Sequence, residues 1–148
     1  MPALDLTIPA GTFTPEQQTA LVEELTTVML SAEGAPNTDF FRSITWVMVH
    51  EATVYASARR VTEPVFRLVA SVPAGALSER RKEVFVSEAT RVISAAAGLC
   101  QGDGLRVWVL VNEVPEGNWG AAGNIVHFEQ LRALAEQERA GQPAEIGA

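Results

Sequence analysis

The feature that most constrains this chain is that it repeats itself. At a shift of 62 residues, Ile44-Thr45-Trp46-Val47-Met48-Val49-His50-Glu51 falls on Arg106-Val107-Trp108-Val109-Leu110-Val111-Asn112-Glu113, and Pro2 and Leu6 fall on Pro64 and Leu68. A period of about 60 residues is too long for a hairpin and suits one supersecondary unit copied once. The contents of each copy identify the unit. Ala3 to Ile8 alternates apolar and polar residues, the pattern of a half-buried strand. Pro9-Ala10-Gly11 breaks it, and Thr14-Pro15-Glu16-Gln17 carries an N-cap, a proline at the first helical position and a capping-box glutamine. Leu21, Val22, Leu25, Val28, Met29 and Ala32 then form one apolar helical stripe, which Gly34 and Pro36 end. A strand over Ile44–His50 closes the unit, and Thr53–Ser57 is a short extra strand or turn.

The second copy repeats the order: a strand over Pro64–Ala70, a break at Pro73-Ala74-Gly75, an N-cap at Ser78, and a helix with Phe85, Ala89, Val92, Ile93 and Ala96 on one face. Gly98 stops that helix, a Gln101–Gly104 turn follows, and the closing strand is Arg106–Val111. A strand–helix–strand crossover makes the two strands of each unit parallel. The expected fold is therefore α+β: duplicated β-α-β units form one four-stranded sheet with two helices on one face. The whole chain, 1–148, is one domain, with repeat one at 2–62, repeat two at 63–124, and a C-terminal helix and tail at 125–148. Phe128, Leu131, Leu134 and Ala135 are the apolar face of that helix, and the end from Gly141 to Ala144 is loose.

Composition removes several classes of function. The net charge of −7 argues against a nucleic-acid or anionic-membrane surface. Two histidines and the single Cys100 leave no set for a structural zinc, and one cysteine fits a reducing, cytoplasmic setting. The start, Met1-Pro2-Ala3-Leu4-Asp5, carries no signal-like run, and no apolar stretch approaches a membrane span.

The chemistry is expected at Pro2. Initiator methionine is normally removed before a small residue, which would leave a prolyl α-amine. Such an amine has a reference pKa of about 7.7–8.0. Apolar burial lowers it, and a neutral secondary amine at pH 7 can take a proton from carbon beside a carbonyl or attack the carbonyl itself. A retained Met1 would acylate the nitrogen and abolish both. Pro64 is a backbone amide and has no such capacity.

Other residues have structural readings beside functional ones. Trp46 and Trp108 are expected in the core. Asp5 and Arg67, on corresponding strand positions, are expected to pair across the halves. His50 is a hydrogen-bonded sheet residue, and Glu79-Arg80-Arg81-Lys82-Glu83 is a solvated first helical turn. Arg42 and Arg106 flank the second strand of each half. As solvated strand ends they are structural; reaching a neighbour they would hold a carboxylate, which a guanidinium fork matches.

An N-terminal proline opening a strand, a β-α-β unit of this length, and the ending Glu113-Val114-Pro115 … Trp119-Gly120-Ala121-Ala122-Gly123 together resemble the tautomerase superfamily. The doubled length resembles its fused subgroup, which includes cis-3-chloroacrylic acid dehalogenase and malonate semialdehyde decarboxylase. The resemblance covers residues 2 to about 124 and implies a homotrimer with six β-α-β units around a barrel-like centre, no cofactor and no metal. It implies Pro2 as the general base of a keto-enol proton transfer on a small 2-oxo or enol carboxylic acid. Arg42 or Arg106 would hold the carboxylate; Trp119 would exclude water or pack at an interface, and Asn118 would bond a substrate oxygen or shape the turn with Gly117. The turn Gly34-Ala35-Pro36-Asn37-Thr38-Asp39 resembles the decarboxylase subgroup's, in which the aspartate stands beside the proline, here Asp39. Three departures weigh against lyase or hydratase chemistry. Ser71–Leu77 has no arginine, Met29 stands where the dehalogenases place a helix histidine, and Leu110 stands where they place a tyrosine. Hydration, dehalogenation or decarboxylation on the same amine, and a non-catalytic trimeric scaffold, are the competing readings.

Overall fold

A computed structural model describes residues 1–141. Strand β1 (Ala3–Pro9) leads through helix α1 (Pro15–Glu33) and a short helix α2 (Asp39–Ser43) to β2 (Trp46–Ala52). Two-residue strands β3 (Tyr55–Ala56) and β4 (Arg59–Arg60) make a hairpin, and β5 (Phe66–Pro73), helix α3 (Glu79–Ala96) and β6 (Val107–Val114) follow. A second small hairpin, β7 (Gly120–Ala121) and β8 (Asn124–Ile125), precedes helix α4 (Phe128–Arg139).

The main sheet has the order β2-β1-β5-β6. Each half pairs its own strands in parallel, and β1 and β5 join the halves antiparallel. Leu4, Leu6 and Ile8 of β1 and Phe66, Leu68, Ala70 and Val72 of β5 share one buried cluster with Leu21, Leu25 and Met29 of α1 and with Phe85, Ala89, Val92 and Ile93 of α3. Both long helices thus lie on one face of one sheet, as the duplicated pattern requires. Thr14 and Ser78 cap them as expected, each side chain accepting from the backbone N–H three residues on. Phe85 lies fully buried where α3 meets that cluster. Phe85→Ala is expected to lower unfolding free energy by about 3–5 kcal/mol, read as a lower denaturant midpoint at unchanged slope.

Three expectations need correcting. The repeat does not keep one register. Strand pairing sets Ala3 against Trp46 and Arg67 against Trp108, so β1 maps onto β5 at a shift of 64. The turns Pro9-Ala10-Gly11 and Pro73-Ala74-Gly75, the caps Thr14 and Ser78, and the left-handed Gly34 and Gly98 keep that shift; only the second strands stand at 62. The difference lies between helix and closing strand, where the first half has α2 and the second a 3-10 turn, Asp103–Arg106. The structural partner of Pro2 is Phe66, not Pro64. Helix α2, capped by Thr38, is too short to leave an apolar period in the sequence, and it delays β2 to Trp46.

Trp46 and Trp108 are not core residues: they are 66% and 64% exposed. Alternation marks two faces of a strand without saying which is covered. Val47, Val49, Val109 and Val111 pack against the helix-side core, leaving the tryptophans, Met48 and Leu110 on the open face. Each indole N–H donates to the carbonyl three residues earlier, on Ser43 and Leu105. Asp5 does not meet Arg67 either. It lies opposite Val69 and bonds His50 Nε2 at 2.9 Å. The remaining differences are of extent, β5 running on to Pro73 and β6 to Val114. The expected loose end lies, beyond Gly141, outside the described residues. Among the described residues no helix is long and apolar enough to cross a membrane.

Candidate active site

Pro2 is buried at the start of β1, its carbonyl accepting the Trp46 N–H at 3.2 Å. Met1, ahead of it, opens into a cavity of about 380 Å³, a volume suited to a small ligand. Five parts of the chain build this cavity around Met1: the end of α1 (Glu33, Gly34), Phe41 of α2, the end of β5 with its turn (Pro73, Gly75, Ala76), Arg81 in the first turn of α3, and α4 (Leu131, Arg132, Ala135, Arg139). The turn is fixed from the far side. Glu113, ending β6, accepts the Gly75 N–H at 3.2 Å and Lys82 Nζ at 3.0 Å. Those bonds, Lys82 first, hold its carboxyl below the usual range.

The α-amine and Glu33 are pushed toward each other. Burial lowers the Met1 α-amine, and the Glu33 carboxylate opposes that shift through space. Burial raises the Glu33 carboxyl, and the amine opposes that shift in turn.

Arginines meet this site at the C-terminal end of α1. Gly34 ends that helix at φ +66°, and a Cβ there would stand 2.9 Å from Arg81 Nη2. Glycine is therefore required twice, by the backbone angle and by the guanidinium resting on it. Arg81 Nη1 donates to the Glu33 carbonyl at 3.3 Å, and Arg139 Nη2 donates to the Gly34 carbonyl. Cations are favourable at a helix C-terminus, where carbonyls are left without helical partners. A guanidinium has five N–H donors, and neither arginine forms an ion pair among the described residues.

Most of the side chains expected to accompany Pro2 lie elsewhere. Arg42 bonds Asn37 Oδ1 at 3.1 Å and stands 3.6 Å from Glu23. Arg106 is held by Glu63 at 3.1 Å and Asp103 at 3.4 Å. Asp39 is exposed in the first turn of α2. Asn118 is exposed and its N–H bonds the Pro115 carbonyl at 3.0 Å. Trp119 is half-buried, its carbonyl accepting the Val126 N–H at the base of the β7–β8 hairpin. None of these five lines the cavity at Met1. The arginines that do were hidden for different reasons. Arg81 sits in a charged run that reads as solvent-facing, and Arg132 and Arg139 lie beyond the repeat on a helix with no counterpart in the first half.

A duplicated sheet with an α-amine at the edge of a small cationic cavity defines a fold of fused β-α-β units built around the chain start. The chain belongs to the putative oxalocrotonate tautomerase enzyme family, whose model matches residues 1–132. Its fold is that of solved tautomerase-like proteins. N1, a member of the cis-3-chloroacrylic acid dehalogenase family, superposes with a TM-score of 0.73 at 20% identity, covering 95% of each chain. A fused 4-OT solved as an asymmetric trimer gives a TM-score of 0.70 at 18% identity, over 83% of this chain and 94% of that one. A macrophage migration inhibitory factor-like protein from Entamoeba histolytica gives 0.67 at 16% identity, over 84% and 98%. No curated protein matches in sequence.

Proposed function

We propose that the protein is a cofactor-free tautomerase that moves a proton between carbon and oxygen of a small 2-oxo or enol carboxylic acid, with the Pro2 amine as general base. The observation that carries this reading is the burial of the chain start against a cavity faced by guanidinium groups. With Met1 removed, the Pro2 nitrogen, which is bonded to Met1, would become the group nearest the cavity that Met1 lines. Burial keeps it neutral enough to accept a proton, and the ring fixes its direction. Arg81, held over Gly34, meets the substrate carboxylate and takes the part expected of Arg42 or Arg106. The open sheet face carrying Trp46, Met48, Trp108 and Leu110 is the surface through which chains would associate, as three do in the fused 4-OT structure.

The test is ketonisation of phenylenolpyruvate, followed by ultraviolet absorbance, with protein whose intact mass lacks Met1. Turnover supports the reading; properly processed protein without activity overturns it. Its pH dependence follows from burial. The working form is the neutral amine, so activity is lost as pH falls through the amine's pKa. Pro2 is buried in the folded chain, and burial disfavours an ammonium, so the acid limb of kcat/KM is expected below the ordinary α-amine range of about 7.7–8.0. A limb inside or above that range would show that the amine is not desolvated.

A further inference from the structure

The two halves of the sheet create two corresponding clefts. The turn Pro73-Gly75-Ala76 lines the cavity at Met1, and the matching turn Pro9-Gly11-Thr12 lines a second cavity of about 340 Å³ at the other end of the sheet. Val65 stands in the second where Met1 stands in the first. The clefts differ in what closes them. The second is bounded by the segment joining the halves, with Arg60 and Glu63 on its wall. The first is bounded by α4, which lies outside the repeat and lines only that cleft among the two.

Helix α4 is fastened for this position. Ala135 packs with Leu30 and Phe41 in a small cluster of its own, joined by Leu134. At its start, the Glu116 carboxylate bonds His127 Nδ1 and accepts the Phe128 N–H. With Leu131 and Ala135 turned inward, one helical turn separates Arg132 from Glu136 and a second places Arg139, so all three border the cavity. Among the described residues, Arg132 is tied only to Glu129, three residues earlier and 3.4 Å away, an exposed pair of little strength. Arg139 reaches across to the Gly34 carbonyl, the next carbonyl along from the one Arg81 holds. The cavity also has two acids, Glu33 and Glu136. Three guanidiniums against two carboxyls, one of them pushed toward its neutral form, leave a positive field over the chain start.

We infer that α4 is the specificity element of the Pro2 cleft: Arg132 and Arg139 select substrates that carry a carboxylate beside the reacting carbonyl. This rests on the reading of Pro2 as the reactive amine and adds an anion-selecting wall supplied by the C-terminal helix. The duplication supplies the amine's cleft, and the appended helix supplies its preference.

Selectivity can be read without turnover. A secondary amine and a ketone lose water to form an iminium, and cyanoborohydride delivers hydride to its carbon, leaving a stable tertiary amine. Met1-free protein is treated with pyruvate or with acetone, and labelling at Pro2 is followed by intact mass and peptide mapping. Lys82 is the only lysine, so the two amines are resolved. The expected result is a pyruvate-over-acetone rate ratio at Pro2 that falls about tenfold in Arg132→Ala/Arg139→Ala, the loss of one charge-assisted bond. Arg139→Lys, which keeps the charge without the fork, should fall between. Arg91→Ala, an exposed arginine paired with Glu88, should keep the parent ratio. A ratio unchanged in both α4 variants overturns the inference while leaving the tautomerase reading intact. A ratio that depends on α4 in protein inactive toward phenylenolpyruvate upholds the inference and overturns that reading.

Discussion

Pro2→Ala is expected to lower kcat/KM for phenylenolpyruvate by about 10²-fold or more, the usual contribution of a positioned general base. The substitution is informative because it is mild. Alanine is small enough for Met1 still to be removed, so the variant retains an α-amine, but a primary one on a freely turning residue. The loss therefore measures what the ring contributes: a secondary nitrogen held in one direction at the start of β1. Pro2 also fixes its own carbonyl to the Trp46 N–H, and alanine preserves that bond. The fall should appear mainly in kcat, because the acid-binding arginines are untouched. Intact mass must show Met1 absent from both proteins. A variant with undiminished kcat/KM would remove the ring, and with it the case for Pro2, from the mechanism.

The second large effect is expected at Arg81. Arg81→Ala removes the guanidinium nearest Gly34 and should raise KM by about 10- to 150-fold, the equivalent of one charge-assisted hydrogen bond worth about 1.5–3 kcal/mol. Arg81 is exposed, the one described hydrogen bond of its side chain is to a carbonyl at a helix end, and alanine keeps the backbone bond to the Ser78 cap, so folding should be little affected. Michaelis–Menten analysis separates the outcomes. A rise in KM with kcat nearly kept identifies binding common to ground and transition states. An unchanged KM would mean that the carboxylate lies elsewhere in the cleft.

Much of the scaffold can be read along the chain because it is written in local chemistry. The Thr14 and Ser78 caps, the proline-alanine-glycine turns and the alternating strands each satisfy a backbone requirement of their immediate neighbours. Long-range facts are less visible. The sheet joins its halves through β1 and β5, so the register between the copies is fixed by pairing, and identical tryptophans mislead once the second copy is shorter at one corner. The exposure of Trp46 and Trp108 depends on which face receives the helices, and alternation is blind to that choice. The site shows the same division. Pro2 is legible because an α-amine is chemically singular. Arg81 and Arg139 are not, since what distinguishes them from the other arginines is two successive carbonyls at the end of α1, a meeting of three helices far apart in sequence.

The near-twofold relation between β1 and β5 has one more implication. A polypeptide has a single beginning, so copying this unit in tandem cannot copy its amine. The second cleft inherited the walls and lost the reagent: Phe66 fills the place of Pro2 in mid-chain. From that moment the two halves answer to different demands. On the proposed function, the first would have to hold the Pro2 amine within reach of a substrate. The second is free to become pure support, and its strand is the one buried along nearly its whole length, from Phe66 to Pro73. If Pro2 is the reactive amine as proposed, fusion of this kind is a division of labour within one molecule, with half the fold released from chemistry so that the other half can be held still for it.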